Sequence, residues 1–131
     1  MATEHIVDAS AVAKLFLDEP GAETFRDWWY GALLTDTPMS APGLLRYEIG
    51  ALIVRNLGHL DSPARRRTWR EAVAGIRFDD ETVLDALTVD GLTFYDAAYV
   101  ALAATKKARL ITYDDKMAKH ARAHGVAVER P

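Results

Sequence analysis

Short apolar runs alternate along this chain with longer segments in which apolar residues recur every three or four positions. The first pattern is typical of buried strands, and the second is typical of helices that turn one face to a core. Helices are predicted over residues 10–19, 21–34, 42–55, 61–77, 79–91, 92–108 and 114–125, and extended segments over residues 5–8, 37–42, 77–78, 108–112 and 126–129. Strands that alternate with helices indicate an α/β fold whose parallel sheet is covered on both faces.

Residues with known positional preferences mark several helix ends. Ser10 is expected to cap the first helix, and Pro42 to open the helix that contains Glu48. Ser62 precedes a proline and should cap the fourth helix, while Gly125 should close the last one. No repeat or linker interrupts the chain, so its 131 residues are expected to form a single domain, residues 1–131.

The composition narrows the range of possible chemistry. The chain has no cysteine, which excludes disulfides, thiolate zinc sites and cysteine nucleophiles. It also has no apolar run long enough to cross a membrane and no basic leader. We therefore expect a soluble, cytoplasmic protein that has no membrane partner.

The net charge of -3 is distributed unevenly. Residues 1–45 and 78–105 carry net charges of -5 and -6, whereas residues 46–77 and 106–131 carry +4 each. A protein in which acids hold cations and bases meet the phosphates of a polyanion would have such a distribution. An ordinary solvated surface would have it as well, and charge alone favours that simpler interpretation.

Glu48 lies on the apolar stripe of its predicted helix. It stands four residues after Leu44 and four before Leu52, and an ideal helix turns all three side chains toward the same face. A carboxylate that leaves water must be paired, protonated or bound to a metal. The sequence of this helix therefore calls for a partner elsewhere in the chain.

Three aspartates occupy comparable positions. Asp8 and Asp114 follow apolar strands at the edge of a parallel sheet where ligands bind, although each could merely cap the next helix. Asp96 shares a helix face with Tyr99 and Val100, although it could also be a first-turn acid in a helix capped by Thr93.

One hypothesis accounts for all four acids. If they converge at the carboxyl edge of the sheet, their mutual repulsion opposes ionisation unless a cation is present. Mg²⁺ or Mn²⁺ would suit oxygen ligands, and the expected ligands and catalytic residues are Asp8, Glu48, Asp96 and Asp114. Zinc is disfavoured, because His5, His59, His120 and His124 form no obvious ligand pair. His120 and His124 are four residues apart, but on a lysine-rich helix that fits a solvated face better.

Four segments together resemble a known family: IVDASAVAKLFLDEPG, SAPGLLRYEIGALIVR, LTFYDAAYVALA and LITYDDKMAKHA. In this order they are similar to the PIN-domain ribonucleases, and in particular to VapC-type toxins of toxin–antitoxin pairs. The resemblance implies a three-layer α/β/α fold with a five-stranded parallel sheet. It also implies an acidic quartet that binds Mg²⁺ or Mn²⁺, RNA cleavage that leaves a 5′-phosphate and a 3′-hydroxyl, and a VapB-like antitoxin partner.

The resemblance assigns the four acids one by one. Asp8, Glu48 and Asp96 match its first three acids, and Asp114 matches the fourth, with Asp115 as a neighbouring alternative. Two hydroxyl groups also match family positions beside the acids, namely those of Ser10 and Thr112. Ser10 could instead be an ordinary helix cap, and Thr112 could be an ordinary hydroxyl at the end of a strand.

Two surface features allow several interpretations. The cluster of Arg65, Arg66, Arg67 and Arg70 around Trp69 could contact RNA phosphates and bases, could meet acids of an antitoxin, or could simply be solvated. The aromatic run from Trp28 to Tyr30 is expected to divide between the core and an interface, with a homodimer partner or an antitoxin helix.

Two other functions remain open from the residues. A phospho-acceptor receiver domain also gathers acids and Mg²⁺ at this edge of a parallel sheet, but residues 37–42 lack the central aspartate that it needs. A non-catalytic binding module of the same fold is the other possibility. The presence of all four acids argues against it.

Overall fold

A computed structural model describes residues 3–58 and 61–131. The strands are β1 (His5–Val7), β2 (Met39–Ala41), β3 (Arg77–Phe78), β4 (Arg109–Ile111) and β5 (Val128–Glu129). The helices are α1 (Ala9–Val12), α2 (Ala22–Leu34), α3 (Leu45–Leu57), α4 (Pro63–Ala74), α5 (Phe94–Lys106) and α6 (Asp115–Ala123). Two 3₁₀ helices, Ala13–Leu15 and Val83–Thr88, follow α1 and precede α5.

The five strands form one parallel sheet in the order β3-β2-β1-β4-β5, with helices on both faces. The predicted three-layer α/β fold is therefore confirmed. From β1 the chain moves outward through β2 to β3, and then returns to the other side of β1 to form β4 and β5. The direction of winding reverses between β1 and β4. In open α/β sheets, ligands bind in the crevice at the carboxyl ends of the strands at this switch point.

The core is centred on the two strands that flank the switch point and on α5. Ile6 and Val7 of β1, and Leu110 and Ile111 of β4, are completely buried. Every residue of α5 from position 97 to position 103 is buried as well, as expected for a helix that is apolar on all sides. The start of α5, which carries Asp96, is thereby held rigidly beside the sheet.

Two predicted helices differ most from the structure. The segment 10–19 forms only α1 and a 3₁₀ turn. Arg26 of α2 donates to the backbone carbonyls of Lys14 and Leu17, so these carbonyls have partners although the helix ends early. The segment 79–91 forms a 3₁₀ helix, since its leading acids are engaged elsewhere: Asp79 pairs with Lys106, and Asp80 accepts from the backbone of Gly43.

Two helix starts also differ from the prediction. Asp8, and not Ser10, is the N-cap of α1: its backbone is extended and its side chain accepts from the amide of Ala11. Pro42 precedes α3 by a turn, in which its carbonyl accepts from the amide of Leu45. The expected ends at Ser62 and Gly125 are confirmed, because Ser62 caps α4 and Gly125 follows α6 with a φ of 83°. Within the described ranges, no helix combines the length and apolarity needed to cross a membrane.

Candidate active site

A cleft of about 280 Å³ opens at the carboxyl edge of the sheet. All four acids singled out from the sequence line it. The remaining lining residues are mostly small or apolar, apart from one arginine: Ala9, Ser10, Ala51, Leu52, Arg55, Tyr99 and Met117. The four acids are separated by as many as 106 positions in sequence, and the fold brings them to one cleft at the switch point between β1 and β4.

Asp8 forms the floor of this cleft. It follows β1 directly, and its amide donates to the carbonyl of Ile111 in β4, which ties it to the neighbouring strand. The side chain is 2% exposed and accepts from Ser10 Oγ at 2.7 Å, from the amide of Ala11 at 3.0 Å, and from Thr112 Oγ1. Asp8 is thus both a helix cap and a cleft acid, so the two interpretations of this residue are compatible.

Burial changes the acidity of Asp8. Loss of water raises the pKa of its carboxyl to about 6, although the hydrogen bonds from Thr112, Ser10 and Ala11 act in the opposite direction. The negative charge of Asp114 raises the pKa further. The carboxylate form of Asp8 is therefore destabilised in the protein alone, and a cation in the cleft would relieve this destabilisation.

Ser10 and Thr112 form the frame that holds Asp8. Besides donating to Asp8, Ser10 Oγ accepts from the amide of Tyr113 at 2.8 Å, and Thr112 Oγ1 accepts from the amide of Asp114 at 3.0 Å. Each hydroxyl is thus oriented by a backbone amide, which leaves its proton for the carboxylate. Through Thr112, the frame also connects Asp8 to the backbone of Asp114.

Glu48 reaches the cleft from α3. It is half-buried, and Oε1 accepts a hydrogen bond of 2.6 Å from the hydroxyl of Tyr99. Burial raises the pKa of the Glu48 carboxyl, the hydrogen bond from Tyr99 lowers it, and the charge of Asp96 raises it. Sequence reasoning missed Tyr99 as a site residue. Its position three residues after Asp96, on the same helix face, was the available signal.

Asp96 and Asp114 complete the acidic lining. Asp96 lies in the first turn of α5, and Thr93 caps that helix by accepting from the amide of Asp96 at 3.1 Å. Its pKa is raised by burial and by the charge of Asp114, and lowered by Thr93 and by the nearby Lys116. Asp114 caps α6 by accepting from the amide of Met117 at 2.9 Å.

Asp115, the alternative fourth acid, lies outside this lining. Its side chain is 93% exposed and forms an ion pair of 2.9 Å with Arg130. Of the two neighbouring aspartates, only Asp114 lines the cleft.

The donor set suits a hard divalent cation that keeps part of its water shell. In the described part of the chain, no three acidic or histidine side chains are close enough together to form a complete ligand set by themselves. Mg²⁺ is usually held by one or two carboxylates together with waters and substrate phosphates, so a complete protein cage is not required. His5 lies near Glu129 and Trp28 rather than in the cleft, and His59 lies outside the described residues.

The other predicted features lie elsewhere. Within the arginine cluster, Arg66 pairs with Asp61, and a second cleft of about 320 Å³ between α3 and α4 is lined in part by Arg65, Trp69 and Arg70. The aromatic run divides as expected in burial: Trp29 is buried, Trp28 is half-buried against Phe25, and Tyr30 is exposed.

The sequence model of the PIN domain matches residues 5–123. A search of curated proteins gives no significant match.

Several solved structures are similar to this chain. PAE2754 from Pyrobaculum aerophilum is 27% identical, with a TM-score of 0.70 over 98% of this chain and 92% of that one. VapC20 from Mycobacterium tuberculosis, described as a toxin that cleaves the sarcin–ricin loop, is 20% identical, with a TM-score of 0.66 over 97% of this chain and 99% of that one. FitAcB from Neisseria gonorrhoeae is 16% identical, with a TM-score of 0.59 over 97% of both chains. The last two show a shared fold.

Proposed function

The chain belongs to the PIN-domain family, whose members are generally nucleases, and on that premise we propose that it is a Mg²⁺- or Mn²⁺-dependent endoribonuclease of the VapC toxin type. The observation that carries the proposal is the common cleft of Asp8, Glu48, Asp96 and Asp114 at the switch point of the sheet. Four carboxyl groups in one cleft are poorly suited to meet a polyanion directly, because their negative charges would repel its phosphates. They are well suited to hold cations that do so.

RNA is the proposed substrate, in part because a toxin of the same fold is described as cleaving the sarcin–ricin loop. The cleft supplies no serine–histidine or cysteine–histidine pair among its described lining residues, so hydrolysis by a protein nucleophile has no support there. Attack by water on a phosphodiester is the reaction that suits an all-carboxylate site.

In this proposal, Asp8, Glu48, Asp96 and Asp114 would hold the metal, some of them through water molecules that the metal retains. When bound, Mg²⁺ or Mn²⁺ would lower the pKa of a water molecule and offset negative charge on the phosphate oxygens. The expected products carry a 5′-phosphate and a 3′-hydroxyl.

The contribution of the protein is to fix the acids before the substrate arrives. Ser10, Thr112 and the start of α1 hold Asp8, and Tyr99 holds Glu48. Asp96 is fixed in the first turn of α5, and Asp114 is fixed as the N-cap of α6. Preorganised groups of this kind need no rearrangement during the reaction.

We further propose that the enzyme is a homodimer neutralised in the cytoplasm by a VapB-like antitoxin. The family membership and the fold shared with VapC20 support an antitoxin partner. Large apolar side chains are exposed near the 3₁₀ helix and the start of α5, notably Leu84, Leu87 and Tyr95, and they offer surface for either association.

A receiver domain is a weaker alternative. Receivers of the flavodoxin-like type have the strand order 2-1-3-4-5, whereas this sheet has the order 3-2-1-4-5. A non-catalytic PIN-fold binding module would keep the fold but would not cleave.

Incubation of the purified protein with RNA, with added Mg²⁺ or Mn²⁺ and with EDTA, separates these functions. The proposal expects metal-dependent cleavage with 5′-phosphate ends. RNA binding without cleavage would identify a binding module, and phosphorylation by acetyl phosphate without any effect on RNA would identify a receiver.

A further inference from the structure

One basic side chain lies among the acids of the cleft. Arg55 is the only lysine or arginine among the described residues that line it, and it is exposed to solvent. It follows Glu48 by seven residues on α3, which is close to two helical turns, so both side chains lie on the same helix face. Ala51 and Leu52, between them, line the cleft as well. One face of α3 is thus a wall of the cleft, with an acid at one end and a cation at the other.

Arg55 has no partner among the residues that the structure describes. Across residues 3–58 and 61–131, its guanidinium makes no hydrogen bond, ion pair or ring contact. Other arginines are engaged: Arg26 donates to two carbonyls, and Arg130 pairs with Asp115. A guanidinium that faces a cleft lined by four carboxylates yet pairs with none of them remains available to a ligand.

The chemistry of the guanidinium group fits an anionic ligand. Its five N–H donors match the oxygens of a phosphate group, which guanidinium binds in a bidentate manner.

We propose that Arg55 is a substrate-positioning residue that binds a backbone phosphate next to the scissile one. Glu48 and Arg55 are separated by about 10 Å along the axis of α3, given the rise per residue of an α-helix. This offset places Arg55 toward the carboxyl-terminal end of the cleft wall, so we assign to it the phosphate of a neighbouring nucleotide and not the phosphate that the cation would hold. This inference rests on the proposed ribonuclease function and specifies where the RNA strand runs: along α3, from the acids toward its carboxyl end.

A simpler role for Arg55 makes different predictions. Arg55 lies in the last turn of α3, where a cation interacts favourably with the helix dipole. If this were its whole role, Arg55→Gln would lower the stability of the protein slightly and leave RNA binding unchanged.

RNA binding by the Asp96→Asn variant, which should bind without cleaving, provides the test. The probe is a fluorescein-labelled single-stranded RNA that spans a cleavage site mapped with the wild-type enzyme, and Kd is measured over a range of salt concentrations. Adding Arg55→Gln should weaken binding roughly tenfold. It should also reduce the slope of log Kd against log salt by about 0.7, the value for one lost contact to a single-strand phosphate.

Two further variants sharpen the result. Arg55→Lys keeps the charge, so it should restore the salt slope but only part of the affinity. Arg122→Gln is the matched control, since Arg122 is exposed on α6 and does not line the cleft. It should leave both Kd and slope unchanged.

Neutral methylphosphonate linkages placed one at a time along the probe identify the phosphate. One linkage next to the scissile position should weaken binding by Asp96→Asn but not by Asp96→Asn with Arg55→Gln. If the wild-type protein cleaves RNA but Arg55→Gln changes neither the slope nor the methylphosphonate pattern, the assignment of Arg55 is wrong and the nuclease function stands. If the wild-type protein cleaves no RNA, the proposed function itself fails.

Discussion

The hydroxyl of Tyr99 donates a hydrogen bond of 2.6 Å to the carboxylate of Glu48. Tyr99 is 1% exposed on α5, and Glu48 is half-buried on α3, so the bond joins two walls of the cleft. It also explains how an acid can lie on the apolar stripe of a helix. Glu48 is directed to the edge of the core, where one oxygen has a buried donor and the other oxygen remains available in the cleft.

Substitution of Tyr99 by Phe should lower metal-dependent RNA cleavage by about 10- to 100-fold, the usual effect of removing a partner that orients a metal ligand. Because the hydrogen bond from Tyr99 lowers the pKa of Glu48, its loss should raise that pKa. The acid limb of the pH–rate profile should then move to higher pH. Tyr95→Phe, on the exposed side of the same helix, is the control. An unchanged pH profile in Tyr99→Phe would mean that Tyr99 only fills space.

Substitution of Glu48 by Gln should weaken Mn²⁺ binding by about tenfold or more, as measured by calorimetry. Stability should change little, because Gln can still accept from Tyr99 and removes a carboxylate whose pKa burial has raised. Urea unfolding at pH 7.5 without metal measures this second quantity, with the exposed Glu71→Gln as control. A large loss of stability with unchanged Mn²⁺ affinity would identify Glu48 as a structural acid.

Substitution of Thr112 by Val removes a fully buried hydroxyl without changing the shape of the side chain much. It leaves Asp8 without one donor and the amide of Asp114 without its acceptor, so we expect a loss of about 1–3 kcal/mol in the free energy of unfolding. The loss should be larger at pH 8 than at pH 5, because the hydroxyl stabilises the ionised form of Asp8. An equal loss at the two pH values, or the same loss in the exposed Thr105→Val, would contradict this role.

Asp8 should make the metal-free protein less stable as the pH rises. Its pKa is about 6 in the folded protein and 3.8 as a model value, so the folded state holds the proton more tightly. Protonated Asp8 therefore stabilises the folded state, and this contribution is fully present below pH 3.8. It is lost as the pH rises through 6, which lowers the free energy of unfolding by about 3 kcal/mol.

Urea unfolding of the metal-free protein from pH 4 to pH 7.5 measures this effect. Asp8→Asn should show a smaller dependence on pH, since it removes the titrating group. Saturating Mn²⁺ at pH 7.5 should restore stability to the wild-type protein but less to Asp8→Asn. A wild-type protein whose stability rises over this range by the same amount as the variant would contradict the account.

The sequence predicted the parallel sheet and the positions of the four acids because both follow from strong local patterns. Apolar runs that end in Asp8 and Asp114 identify strand ends, and an acid on an apolar stripe, such as Glu48, identifies an unusual environment. The shared cleft depends on the reversal of winding between β1 and β4, which is a property of the strand order and has no local signal.

The errors and omissions have the same origin. Ser10 was expected to cap α1, since serine is a favoured cap, but Asp8 occupies that position and Ser10 supports it from inside the helix. Two features depend on how α3 lies against α5 and the sheet. They are the hydrogen bond from Tyr99 and the position of Arg55, whose guanidinium has no partner among the described residues. Periodicity alone gives the face on which a side chain lies but not its partner across the core.

The most direct test of the central claim is RNA cleavage by Asp8→Asn and Asp96→Asn in Mg²⁺ or Mn²⁺, with circular dichroism to verify that each variant is folded. The account predicts cleavage by the wild-type protein only when the metal is present. It predicts a loss of at least about 100-fold in both folded variants, because charged groups at such sites commonly contribute factors of this size. Metal-dependent cleavage retained by both variants, or wild-type cleavage that persists in EDTA, would contradict the assignment of these acids to a catalytic metal site.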